Sequence, residues 1–112
     1  MIIIINSDKS YFKADERPLK QEIGIISNYI IDLSLTGQDA ILYGEGLSGI
    51  ILDDTWPIRD SWTWPRVKKD TIGYLEHLEH ELNGVLSREK LMDIERKVGD
   101  IRGLLKQLSS AK

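Results

Sequence analysis

The most metal-like stretch of the sequence is Glu76-His77-Leu78-Glu79-His80-Glu81, where two histidines stand one helical turn apart among carboxylates. Imidazole and carboxylate groups bind zinc, but this order is neither the His-Glu-x-x-His of zinc proteases nor the Glu-x-x-His of di-iron bundles. The apolar stripe of the same helix consists of Leu75, Leu78 and Leu82. We therefore expect His77 and His80 on the opposite, solvated face, and a metal-dependent enzyme is the weakest of three functional hypotheses.

A second candidate is Gly44-Glu45-Gly46-Leu47-Ser48-Gly49, which matches the glycine fingerprint of dinucleotide sites. That fingerprint needs a helix directly after it, whereas Ile50-Ile51-Leu52 predicts a strand. The segment also falls one residue short of the Gly-x-Ser-x-Gly elbow of serine hydrolases. We expect no catalytic, cofactor-binding or metal-binding residues, and we predict a β-hairpin with strands at 40–43 and 47–52.

Residues 53–65 hold all three tryptophans, two of the three prolines and several aspartates. Trp and Arg supply much of the energy of protein interfaces, and acidic side chains can form a charged rim. Adjacent aspartates could also bind magnesium, although a solvated strand end is favoured. Capping of the core where the sheet meets the helices is the commoner role of tryptophan in a small domain and is favoured for these rings, with a partner-binding face as the competing interpretation and room for one ring in each role. The predicted face comprises Glu45, Asp53, Asp54, Trp56, Arg59, Asp60, Trp62 and Trp64.

Length and composition fit a single domain over residues 1–112. There is no cysteine, which excludes disulfides, thiolate zinc sites and a cysteine nucleophile. The formal net charge of −3 argues against direct binding of nucleic acid. The apolar start is only five residues long, which fits neither a signal peptide nor a membrane span. We therefore expect a cytoplasmic protein without membrane contact.

The apolar pattern predicts an α+β fold. Residues 2–5 are all isoleucine, typical of a central strand covered on both faces, and residues 6–17 read as a loop. Pro18 fits the first turn of a helix that continues through apolar residues at helical spacing, although a strand over 23–35 stays open. The members of this series are Leu19, Ile23, Ile26, Ile30 and Leu33.

Two amphipathic helices are predicted between residues 69 and 108. The first ends at Asn83-Gly84, and Ser87 can cap the second. The second carries an apolar stripe of Leu91, Ile94, Val98, Ile101, Leu105 and Leu108. We expect these helices to form an antiparallel helical hairpin on which a small sheet packs, made of the N-terminal strand and the β-hairpin.

The chain resembles the small acidic immunity proteins of bacterial polymorphic toxin systems, particularly those of contact-dependent growth inhibition. The resemblance lies in Met1-Ile2-Ile3-Ile4-Ile5-Asn6, in Leu42-Tyr43-Gly44-Glu45-Gly46-Leu47, and in the acidic and aromatic segment 53–64. It implies a non-enzymatic inhibitor of a cognate toxin, often a nuclease with a basic cleft, and it assigns no functional residue. The alternative is a homo-oligomeric structural or regulatory subunit, a homodimer for example, that assembles through the stripe at 91–108.

Overall fold

A computed structural model of the chain describes residues 1–52 and 63–110, without the side chains of 52 and 108–110. It confirms the α+β prediction, with a three-stranded sheet and four helices in the described residues. The elements in chain order are β1 (Ile2–Ile5), β2 (Tyr11–Ala14), α1 (Arg17–Asp32), α2 (Gly37–Leu52), α3 (Trp64–Glu81), β3 (Val85–Ser87) and α4 (Arg88–Ser110).

The sheet has the order β2-β1-β3, with β1 antiparallel to β2 and parallel to β3. The central position of β1 is therefore as predicted. The loop predicted at 6–17 is wrong, because Tyr11 and Phe12 belong to a strand that pairs with β1. The prediction that both faces of β1 are covered is also wrong. Ile2 and Ile4 are buried under the helices, whereas Ile3 and Ile5 are exposed on the other face.

Helix α1 begins as its sequence predicts, with Pro18 in the first turn, where its missing N–H costs no hydrogen bond. Ile23, Ile26 and Ile30 face the core at spacings of three and four. A strand would have turned alternate residues to the core. The helical interpretation is therefore confirmed, and the strand over 23–35 is not formed.

Residues 37–52 form the helix α2, so the β-hairpin predicted at 40–43 and 47–52 is wrong. Ala40, Leu47 and Ile51 recur on one helical face and are buried. Gly46 serves close packing of helices rather than a turn, since a Cβ there would lie 2.9 Å from Leu104 Cδ2 on α4. Tertiary packing of this apolar face has outweighed the low helix propensity of the glycines.

The two C-terminal helices are present, joined by a connection that contains the short strand β3. Ser87 caps α4 as predicted, because its Oγ accepts a hydrogen bond of 3.1 Å from the Lys90 amide. Both α3 and α4 pack on α1 and α2 and hardly on each other. The two helices are therefore confirmed, but the predicted packing of one against the other as an antiparallel hairpin is wrong.

The apolar stripe of α4 lies in the hydrophobic core of the chain. This core takes side chains from all four helices and from β1 and β3. The buried members of the α4 stripe are Ile94, Val98, Ile101 and Leu105, while the side chain of Leu108 lies outside the described residues. A coiled coil between chains would have to compete for a surface that the chain already covers.

Candidate protein-binding surface

The residues of the predicted partner-binding face fall into three groups. Glu45 is exposed on α2, and Trp64 is buried at the start of α3. Six more residues lie outside the described part of the chain: Asp53, Asp54, Trp56, Arg59, Asp60 and Trp62. The structure therefore does not bring these residues together as a described surface.

Trp64 belongs to the core, which removes it from the predicted face. Its side chain is 4% exposed, and its Nε1–H donates a hydrogen bond of 2.7 Å to the carbonyl oxygen of Leu33. Leu33 is the C-cap residue of α1, and Lys68 Nζ donates to the Ile31 carbonyl at 2.9 Å in the same turn. The first turns of α3 thus satisfy carbonyl groups that a helix end leaves without partners.

The histidine pair on α3 lies on the solvated side of the helix, as predicted, and both residues are exposed. His77 Nε2 lies 3.3 Å from Glu81 Oε1, one turn further along the same helix. Within residues 1–52 and 63–110, no three His, Asp or Glu side chains are grouped so that they could hold a metal ion.

One exposed apolar surface is the side of the sheet that faces away from the helices. The register of β1 with its neighbours pairs Ile3 with Lys13 and Val85, and Ile5 with Tyr11. Since alternate residues share one side of a sheet, these five side chains form one patch, which we call the outer sheet face. Tyr11 is 68% exposed and Val85 is 59% exposed, and Ile3 and Ile5 are also exposed.

Among the described residues, the charged side chains that line the recess on this face are those of Lys9 and Lys13. Neither ammonium group has a hydrogen bond or an ion pair within the described part of the chain. The outer sheet face is therefore apolar with a basic edge, although the chain as a whole carries a net charge of −3. Single exposed apolar residues are common, whereas large contiguous apolar patches often mark interaction sites.

Lys9 occupies the left-handed backbone region, with φ of 70°, in the turn between β1 and β2. The turn is closed by hydrogen bonds from the Lys9 amide to the Asn6 carbonyl at 3.0 Å and from the Asn6 amide to the Ser10 carbonyl at 2.8 Å. Glycine is the residue that adopts this conformation without strain, so a lysine here costs about 1 kcal/mol of stability. Strain of this kind is often kept where a side chain is needed for function.

Replacing Lys9 with glycine is expected to raise the free energy of unfolding by about 0.5–1 kcal/mol, because it relieves the left-handed strain. Lys9→Ala is the matched control, since it removes the ammonium group but keeps a Cβ in the same conformation. Urea denaturation followed by circular dichroism measures both. Equal stability of Lys9→Gly and Lys9→Ala would contradict the strained turn.

A cavity of about 350 Å³ lies between the strands β1 and β2 and the helices α1 and α4. Its apolar wall includes Ile2, Leu19 and Leu91. Most of its charges are compensated, because Arg102 Nη1 lies 2.5 Å from Glu22 Oε1. Arg17 also hydrogen bonds Asp15 and lowers the pKa of that carboxyl group to about 2. The cavity therefore offers a weaker chemical preference than the outer sheet face.

Signals of this face were hard to find in the sequence. Four consecutive isoleucines do not show which side chains face the core and which face solvent, and the polar residues around Tyr11 and Phe12 predict a loop where β2 lies.

No protein-family model matches the chain, and no curated protein or solved structure matches it either. Among the helices of the described residues, none is both long and apolar enough to cross a membrane.

Proposed function

We propose that this chain is a non-catalytic binding protein, an immunity protein that neutralises a cognate bacterial toxin in the cytoplasm by forming a stoichiometric complex. The observation that carries the proposal is the outer sheet face, where four apolar side chains share one solvent-exposed patch. Burial of such a patch in a complex is favourable by about 25 cal/mol per Å² of apolar area. The resemblance to immunity proteins supplies the class of partner.

The mode of inhibition needs no reactive group on the chain. An immunity protein blocks its toxin by occupying surface, so its energy comes from apolar contact and its selectivity from charge. The segment 53–62, with its aspartates and two tryptophans, remains a second proposed contact for a basic nuclease cleft. Acidic side chains could mimic phosphate there and accelerate association.

In the homo-oligomeric alternative, two chains would pair through the apolar stripe of α4. Ile94, Val98 and Ile101 are buried within the chain, so the α4 stripe cannot pair with a second chain unless the core opens. Self-association through the outer sheet face is a different arrangement, and it is distinguished experimentally below.

The test is a pull-down from the native host with the whole chain as bait, followed by expression of the captured protein alone and together with the chain. We expect a one-to-one complex with a protein that stops growth alone and is harmless when the chain is present. Val85→Glu, which places a charge on the outer sheet face, is expected to weaken the complex at least about tenfold, or 1.4 kcal/mol.

Met92→Glu is the matched control, because Met92 is 61% exposed on α4 and lies outside the outer sheet face. It is expected to leave the affinity for the toxin unchanged. Isothermal titration calorimetry of both variants measures the effect once the toxin is known. A captured partner that is harmless when expressed alone would contradict the immunity function, even if the complex is tight.

A further inference from the structure

The outer sheet face has a charge opposite to that of the chain. The whole chain carries 18 acidic and 15 basic residues. In residues 1–52 and 63–110, however, the recess formed by Ile3, Ile5, Tyr11 and Val85 is lined by lysines and by no carboxylate. Charge complementarity determines which surfaces can approach such a patch, since like charges brought together across an interface are strongly unfavourable. A matching partner surface must combine apolar and acidic side chains.

The two lysines reach this face from different positions. Lys13 lies opposite Ile3 in the register of β2 with β1, and Lys9 is held at the turn by its left-handed backbone. Glycine would adopt that backbone without strain, and strain of this kind is often kept where a side chain is needed. Neither ammonium group is engaged by a carboxylate in the described residues, so both are available to a partner.

We propose that the outer sheet face binds an acidic, apolar segment of a protein partner, with Ile3, Ile5, Tyr11 and Val85 covering its apolar side chains and Lys9 and Lys13 pairing with its carboxylates. The inference rests on the proposed function for its partner. It places the contact on an acidic part of the toxin, away from the basic cleft expected of a nuclease.

Two other occupants fit the face less well. A second copy packed through the same face would bring the lysines of both chains together, and the described part of the chain places no carboxylate in the recess to compensate them. Nucleic acid would find two lysines and one aromatic ring, Tyr11, on a mainly aliphatic surface. Single-strand binding needs a basic groove and several stacking rings.

The experiment uses the full chain, labelled with ¹⁵N, and two short amphipathic helical peptides. Both carry leucines on one face, and the remaining positions are glutamate in one peptide and lysine in the other. We expect the glutamate peptide to bind at least about tenfold more tightly and to shift amide resonances of Ile3, Ile5, Tyr11 and Val85. The double variant Lys9→Glu/Lys13→Glu is expected to reverse this preference.

A control of equal charge change is Lys69→Glu/Arg88→Glu, at two exposed positions on α3 and α4. It is expected to keep the preference for the glutamate peptide. Equal binding of the two peptides, or binding of neither, would overturn the inference. So would shifts of the same resonances on concentrating the free chain, which would indicate a second copy, or on adding oligothymidylate, which would indicate nucleic acid.

The same variants separate this inference from the proposed function. If a toxin is captured and Lys9→Glu/Lys13→Glu neutralises it with unchanged affinity, the immunity function stands and the acidic contact is wrong. If the peptides are discriminated as expected but the captured partner is not a toxin, the contact stands and the immunity function is wrong.

Discussion

Replacing Trp64 with alanine is expected to lower the free energy of unfolding by about 3–5 kcal/mol, the usual cost of removing a large aromatic side chain from a core. Trp64 is buried, and its indole N–H satisfies the Leu33 carbonyl at the end of α1. The alanine variant loses both the ring and this hydrogen bond. Since small domains are stable by about 5–15 kcal/mol, a sizeable part of the total stability would be lost.

Trp64→Phe separates the two contributions. It keeps an aromatic ring in the core but leaves the Leu33 carbonyl without its donor, so we expect a smaller loss of about 1–2 kcal/mol. Urea denaturation followed by circular dichroism measures both variants, and Met92→Ala on the exposed side of α4 is the surface control. Unchanged stability of Trp64→Ala would contradict the core position of Trp64. The residue would then again be a candidate for the partner-binding face.

The sequence predicted best the elements whose apolar residues repeat at helical spacing. In α1 and α4 the buried residues follow spacings of three and four, and these helices formed where expected. Helix α2 was missed because its four glycines indicate a turn by local propensity, while close contact with α4 decides the outcome. Gly46 and Leu104 are far apart in sequence, so a prediction made from short stretches of sequence cannot include their contact.

The candidate site was missed for a related reason. In β1 all four residues are isoleucine, so the pattern shows a strand but cannot show which two side chains face solvent. The helices determine that choice by packing on Ile2 and Ile4 only. For Trp64 the uncertainty concerns the residue type, because tryptophan is common both in cores and in interfaces. The hydrogen bond from its indole to the Leu33 carbonyl, a contact between residues distant in sequence, decides for the core.

Removing two buried hydroxyl groups is expected to stabilise the protein. Ser48 on α2 is 1% exposed and Thr71 on α3 is fully buried, and neither hydroxyl has a hydrogen-bond partner among the described residues. Burial of an unpaired hydroxyl costs about 1–3 kcal/mol. We expect Ser48→Ala and the isosteric Thr71→Val each to raise the free energy of unfolding by about 1–2 kcal/mol.

Helix propensity alone could produce part of the gain at position 48, because alanine is favoured over serine in a helix by up to about 0.7 kcal/mol. Ser27→Ala in α1 is the matched control, since Ser27 is only partly buried and its replacement reports mainly this propensity. The double variant Ser48→Ala/Thr71→Val tests whether the two hydroxyls interact across the contact of α2 with α3. If they are independent, the gains in the free energy of unfolding add. A loss of stability in either single variant would mean that its hydroxyl does form a hydrogen bond in solution, and it would contradict the packing of α2 on α3 described above.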